Sequence, residues 1–175
     1  ASEVYGRGED KDLVLNFLLN ENNDEDLSVL AITGLGGVGK TTLSQLVYND
    51  ERIKSSFDLR GWVCVSDEFD VRVITRKIIQ CIKKEVKCDH LELEPLGQLL
   101  RETLGGRRFI LVLDDVWNED RQRWESLKSL LRCGNKGSKI LVTTRSERVA
   151  SVMDSVLSYR LEGLSADASW NLFRE

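Results

Sequence analysis

The sequence predicts an α/β fold in three layers, with a mostly parallel sheet of five strands and helices on both faces. Three observations predict it. Short apolar, β-branched runs alternate with longer stretches whose apolar residues recur every three or four positions, the pattern of strands joined by crossover helices. One run, Phe109-Ile110-Leu111-Val112-Leu113, is apolar at every position, as expected of a strand covered on both faces. A second run, Leu27-Ser28-Val29-Leu30-Ala31-Ile32-Thr33, leads into Gly34-Leu35-Gly36-Gly37-Val38-Gly39-Lys40-Thr41, a glycine-rich turn between a strand and a helix.

The elements follow in order. Val4-Tyr5-Gly6-Arg7 is a short extended lead-in. Acids at the start of residues 9–19, with apolar residues at 13, 14, 17 and 18, predict a helix. The polar stretch 20–26 is a loop, so residues 1–26 form an N-terminal segment and helix ahead of the main unit, residues 27–162. After the glycine-rich turn, Leu43, Leu46 and Val47 give residues 40–47 one apolar helical face, ending near Asn49-Asp50. Residues 59–65 read as a second strand, broken by Ser66-Asp67-Glu68. Asp70 is placed to cap a long helix with apolar residues at 71, 74, 78, 82 and 86. Pro95 suits the first turn of the next helix, which carries Leu96, Leu99, Leu100 and Leu104 and stops at Gly105-Gly106. A helix with Trp124, Leu127, Leu130 and Leu131 follows the all-apolar strand. A turn through Gly134 and Gly137 precedes a strand over 139–144. A short helix (Val149, Val152, Met153), a strand over 158–161 and a final helix from Ser165 complete the chain.

Bulk properties exclude several classes. A chain of 175 residues can bury a proper core, and 41% hydrophobic with 31% charged residues is globular rather than disordered. A net charge of −4 argues against a dedicated nucleic-acid binder, whose surface is usually basic. No apolar run is long enough to span a bilayer, and nothing resembles a signal peptide. Cys64, Cys81, Cys88 and Cys133 include no Cys-x-x-Cys pair, which predicts reduced, partly buried thiols in a cytoplasmic protein. Cys81, Cys88 and His90 match no common zinc spacing. The chain starts without methionine and stops inside a helical pattern, so it reads as a segment of something longer.

The turn at 34–41 matches the phosphate-binding loop signature at every fixed place. Glycines let backbone amides turn inward as a nest of donors, and the following helix aims its positive dipole end at the same point. Gly34, Leu35, Gly36, Gly37, Val38, Gly39, Lys40 and Thr41 are therefore the predicted phosphate site. Lys40 reaches the β- and γ-phosphates, and the Thr41 hydroxyl can ligate magnesium. In a parallel sheet, ligands gather at the carboxyl ends of the strands. Two other strand ends carry polar chemistry: Asp114-Asp115 and Thr143-Thr144-Arg145. Asp114 stands where a magnesium-binding carboxylate belongs, and two adjacent carboxylates are costly to ionise together without a cation nearby. Asp115 is the candidate base that orients or deprotonates an attacking water. Arg145 suits a γ-phosphate by charge and fork geometry. Trp62, Trp124 and Trp170 are expected to pack; Trp117 could serve either packing or the site.

Taken together, these segments resemble the nucleotide-binding part of plant NB-ARC immune receptors, the leucine-rich-repeat disease resistance proteins among STAND-class P-loop NTPases. The resemblance rests on Val4-Tyr5-Gly6-Arg7, Gly34 to Thr42, Phe57-Asp58-Leu59-Arg60-Gly61-Trp62-Val63-Cys64-Val65-Ser66, Leu111-Val112-Leu113-Asp114-Asp115-Val116-Trp117, Gly137 to Arg145, and Tyr159-Arg160-Leu161-Glu162-Gly163-Leu164. A tryptophan closing the aspartate motif is similar to the coiled-coil subclass. The resemblance implies a P-loop NTPase fold with sheet order 5-1-4-3-2. It implies an ADP/ATP switch, magnesium-dependent with slow hydrolysis at most, that is autoinhibited with ADP and oligomerises with ATP to trigger defence. It adds Thr42 to the phosphate site, places Val4 and Tyr5 near the adenine, and puts Thr41 and Asp114 on magnesium with Arg145 on the γ-phosphate. The implied partners are the receptor's coiled-coil, ARC and leucine-rich-repeat modules and a pathogen effector or guarded host protein. The fragment itself is expected to be monomeric. Residues 163–175 then begin a truncated ARC1-like helical module. Because the closing modules are missing, the fragment is expected to bind nucleotide more weakly than its parent and not to switch alone.

Rival readings have less support. A turnover ATPase or kinase needs a second acid–base or substrate constellation, and none is evident. A GTPase reads guanine with Asn-Lys-x-Asp, whereas Asn135-Lys136-Gly137-Ser138 lacks the aspartate.

Overall fold

The computed structural model describes residues 8–20, 26–36, 39–65 and 68–162. Helix α1 (Gly8–Leu19) precedes β1 (Leu27–Thr33), and α2 (Lys40–Tyr48) and α3 (Glu51–Ser56) lead to β2 (Leu59–Cys64). Helices α4 (Val71–Ile82) and α5 (Leu93–Leu104) connect to β3 (Phe109–Asp114), and α6 (Arg121–Leu131) connects to β4 (Ser138–Thr144). Helix α7 (Glu147–Val152) and β5 (Leu157–Arg160) close the described chain. The strands form one sheet in the order β2-β3-β4-β1-β5, every neighbouring pair parallel. This is the order the family resemblance implies, read from the other edge.

Side chains on a strand alternate between faces, so parity decides which core each residue joins. Leu111, Leu113, Ile140 and Val142 enter the core under α4, α5 and α6, together with Ile74, Ile78, Leu100 and Trp124. Ile110, Val112, Leu141, Leu30 and Ile32 enter the opposite core with α1, α2 and α3. There Val14, Leu15 and Leu18 of α1 are wholly buried, so this helix is part of the fold's second layer rather than an appendage. The parity has a consequence at the strand ends. Asp114 continues the 110–112 register and Thr143 the 141 register, so both belong to the α2 side of the sheet.

Three details differ from the sequence expectation. Helix α3 is an extra element, too short for a periodic signal and anchored by one buried apolar side chain, Ile53. Its local cause is Asp50, whose carboxylate accepts the Arg52 N–H as an N-cap. Helix α4 ends at Ile82 instead of continuing to Val86. Val86 still packs on the core from the turn that follows, so its apolar spacing is satisfied without helix. Cys64 is exposed while Cys88 is buried, because Val63 and Val65 take the inward register at the end of the edge strand.

Candidate functional site

The phosphate loop joins the end of β1 to α2. Gly39, the residue before α2, has φ 94, a left-handed conformation that strains any L side chain. As N-cap it offers no side-chain hydrogen bond, which leaves the first amides of α2 open toward the cavity. The Lys40 Nζ folds back over the loop and donates to the carbonyls of Gly34 (2.8 Å) and Leu35 (2.9 Å). Burial, and next the Arg145 guanidinium, hold this amine below the usual lysine range; Asp115 and Asp114 oppose that shift.

Opposite the loop stand the ends of β3 and β4. Asp114 is 7% exposed and receives two hydroxyls. Thr41 Oγ1 donates to it across 3.0 Å (Oδ1) and 3.2 Å (Oδ2), and Thr143 Oγ1 donates to Oδ1 at 2.5 Å. The Thr143 hydroxyl also accepts the backbone N–H of Asp115 at 2.7 Å. That bond helps hold Asp115 at φ 62, a left-handed conformation that a non-glycine residue keeps only under constraint. Val116 N–H donates to the Thr143 carbonyl (2.9 Å), and Thr144 Oγ1 donates to the Val116 carbonyl (2.7 Å). The two strand ends are thus sewn together beyond the sheet ladder. Thr33, the last residue of β1, donates its hydroxyl to Glu147 of α7 at 2.6 Å.

Together these groups line a cavity of about 410 Å³ bounded by Gly36, Gly39, Lys40, Thr41, Thr42, Cys64, Asp114, Asp115, Thr143 and Arg145. The arrangement can neutralise anionic oxygens with Lys40, Arg145 and loop amides. The Thr41 hydroxyl and Asp114 carboxylate form an all-oxygen donor pair of the kind a hard divalent cation takes. Of the predicted site residues, Gly36, Gly39, Lys40, Thr41, Thr42, Asp114, Asp115 and Arg145 are brought together here. Gly34 and Leu35 contribute through their carbonyls, the Leu35 residue being 72% exposed. Val4, Tyr5, Gly37 and Val38 lie outside the described residues. Sequence reasoning noted Thr143 without assigning it a task and left Cys64 out of the site. The signal for Thr143 is the strand parity, which needs the β3–β4 adjacency before it can be used.

The family model of the NB-ARC domain matches residues 7–175. The chain belongs to the NB-ARC domain family. It is accordingly a nucleotide-binding domain. Among similar proteins, "Disease resistance protein RGA2" of Solanum bulbocastanum is 43% identical over 174 residues, covering 99% of this chain and 18% of the relative. "Putative disease resistance RPP13-like protein 1" of Arabidopsis thaliana is 47% identical over 175 residues, covering 98% of this chain and 16% of the relative. This NB-ARC chain therefore spans less than a fifth of these relatives' length. The Aeropyrum pernix ORC2 protein, solved in ADPNP-ADP complexes, superposes with a TM-score of 0.71 at 15% identity, over 96% of this chain and 50% of that one. A STAND protein with a tetratricopeptide repeat sensor from Pyrococcus horikoshii gives 0.58 at 19% identity, over 93% of this chain and 24% of that one. At such identities the likeness is one of fold. No described helix is long and apolar enough to cross a membrane.

Proposed function

We propose that this NB-ARC chain is the adenine-nucleotide switch module of a plant immune receptor working in the cytoplasm. It takes ADP or ATP with magnesium and hydrolyses ATP slowly at most. The observation that carries this reading is the convergence of Lys40, Thr41, Asp114, Thr143 and Arg145 on one cavity at the carboxyl ends of parallel strands. Lys40 and the α2 amides would hold the β-phosphate side, and exchanging the two loop carbonyls for phosphate oxygens gives the ammonium stronger, anionic acceptors. Thr41 and Asp114 would hold magnesium, which when bound supplies positive charge against the terminal phosphates. Asp115 would orient water, and Arg145 would tell a triphosphate from a diphosphate. Adenine rather than guanine is supported by the missing aspartate after Asn135-Lys136 and by the adenine nucleotides in the ORC2 structure. The length of the relatives supports further modules in the parent protein, here read as coiled-coil, ARC and leucine-rich-repeat units. Effector or guarded-protein sensing and oligomerisation belong to that longer protein.

Calorimetric titration of the chain with ADP, ATP and GTP plus magnesium tests this. Adenine nucleotides bind and GTP does not, and Lys40→Ala weakens both ADP and ATP about 100-fold through loss of a charged hydrogen-bond donor. Equal binding of GTP, or full affinity in the lysine variant, overturns the reading.

A further inference from the structure

Arg145 leaves the end of β4 and lays its guanidinium between two surfaces. On one side, Cζ stands 5.2 Å from the centre of the Trp117 ring. On the other, it lies so near Gly36 that a Cβ built there would be 2.7 Å from Cζ and 2.8 Å from Nη2. Any side chain at position 36 would push the guanidinium away, so this close approach uses a glycine of the phosphate loop. Trp117 is 50% exposed and belongs to neither apolar core, an unusual place for the largest apolar side chain. The backbone that leads to it is nevertheless held. The residue before it, Val116, is tethered through both its N–H and its carbonyl to Thr143 and Thr144, directly ahead of Arg145. The same two tethers therefore set the ring and the guanidinium side by side.

We propose that Trp117 is the positioning residue of Arg145, its indole face holding the guanidinium at the mouth of the phosphate loop so that triphosphate recognition finds the arginine in place. This rests on Arg145 being the γ-phosphate contact. Guanidinium planes stack on indole faces, whereas a free arginine at an exposed strand end samples many rotamers and must be ordered when the ligand binds. Ordering it beforehand lowers that cost, and the benefit falls on the ligand that reaches Arg145. A diphosphate does not use the contact, so Trp117 tunes the ratio of ATP to ADP affinity rather than nucleotide binding as such.

The test is equilibrium binding of ADP and of a non-hydrolysable ATP analogue, with magnesium, to the wild-type chain and to Trp117→Leu, Trp117→Phe, Arg145→Ala and the Trp117→Leu/Arg145→Ala double variant. Trp117→Leu is expected to weaken the triphosphate about fivefold, the scale of an exposed cation–π contact, with ADP affinity changed less than about twofold. Trp117→Phe keeps an aromatic face and restores most of the loss. In the Arg145→Ala background, Trp117→Leu has no further effect, because the two residues act as one unit. The emission of Trp117, taken in each background as the difference from its Trp117→Leu variant, shifts between wild type and Arg145→Ala even without nucleotide. A far-UV circular dichroism spectrum and a urea midpoint close to those of the wild type show that each variant is folded. If Arg145→Ala leaves the triphosphate-to-diphosphate ratio intact, the sensor reading fails and the inference falls with it. If that ratio collapses in Arg145→Ala while Trp117→Leu leaves it untouched, or the two losses add, the sensor stands and Trp117 is not its positioning residue.

Discussion

The wall of the cavity formed by the phosphate loop and the wall formed by the ends of β3 and β4 are held in different ways. The loop wall comes from one stretch of sequence: among the described residues, Gly36 and Gly39 to Thr42 line it, and Lys40 bonds the carbonyls of Gly34 and Leu35. The strand wall is assembled from residues 114–117 and 143–145, with the Thr143 hydroxyl at its centre and Val116 bonded to Thr143 and Thr144 beside it. Thr143 donates to the Asp114 carboxylate and accepts the Asp115 backbone N–H, so a single buried side chain (1% exposed) touches both aspartates. The difference separates two tasks. On the proposed reading, a loop wall of amides and an ammonium attracts any nucleoside phosphate, whereas the strand wall carries the groups proposed to meet the metal, the water and the third phosphate.

The strongest way to break this comparison is Asp115→Asn. Asparagine tolerates the left-handed backbone at this position and keeps the Thr143 bond, which is made through the backbone N–H. Removing a general base typically costs about 100-fold or more, so single-turnover ATP hydrolysis should fall by that factor while ADP and ATP affinities hold. Hydrolysis at the wild-type rate would remove Asp115 from the chemistry.

A smaller effect is expected at the hub. Thr143→Val deletes the hydroxyl but keeps the volume, leaving the part-buried Asp115 N–H without this acceptor and Asp114 Oδ1 with the Thr41 hydroxyl alone. Magnesium affinity, measured by titrating the metal into the nucleotide complex, should drop about tenfold, the low end for losing a residue that orients a metal ligand. Stability should fall by about 1–3 kcal/mol in urea denaturation. Thr143→Ser should recover both. Metal-free nucleotide binding, a property of the loop wall, should be unaffected; if it falls equally, the two walls are not separable.

The same contrast explains what could be read beforehand. The loop wall was legible because its residues are consecutive and each type is demanded by phosphate chemistry. The fold was legible because strands and crossover helices alternate in period, and the all-apolar 109–113 run marks a central strand. The strand wall was legible only residue by residue: Asp114, Asp115 and Arg145 stood out as strand-end polar groups, but the bonds that both aspartates make to Thr143 depend on β3 lying beside β4. Thr143 and Trp117 acquire their meaning only from that adjacency. Cys64 was misjudged for a related reason: a residue at the tip of an edge strand can look buried in a run of apolar letters and still face the open cavity.

The smallest expected effect falls beyond the loop wall, where the Asp50 carboxylate ties α3 to α1. It caps α3 through the Arg52 N–H (2.9 Å), pairs with the Arg52 side chain (3.2 Å) and reaches Lys11 of α1 (3.2 Å). The bonds from Arg52 hold the Asp50 carboxyl at about 2, below its ordinary 3.8. A carboxylate with a depressed folded value stabilises the protein above its unfolded value and loses that contribution as pH falls through the folded one. The share from Asp50 should therefore be full above about pH 4 and vanish toward pH 2. Asp50→Ala should cost about 1 kcal/mol at neutral pH, the usual worth of an N-cap, and Asp50→Asn less, since an amide can still cap. The gap between wild type and Asp50→Ala in urea denaturation should then narrow across that pH window. A gap that stays constant to low pH would mean that apolar packing of α3 through Ile53, not the carboxylate, joins the helix to the core. Because Asp50 touches neither wall, the ATP-to-ADP affinity ratio should not move, whereas a change in that ratio would show that support from α1 and α3 reaches the discriminating groups through the loop.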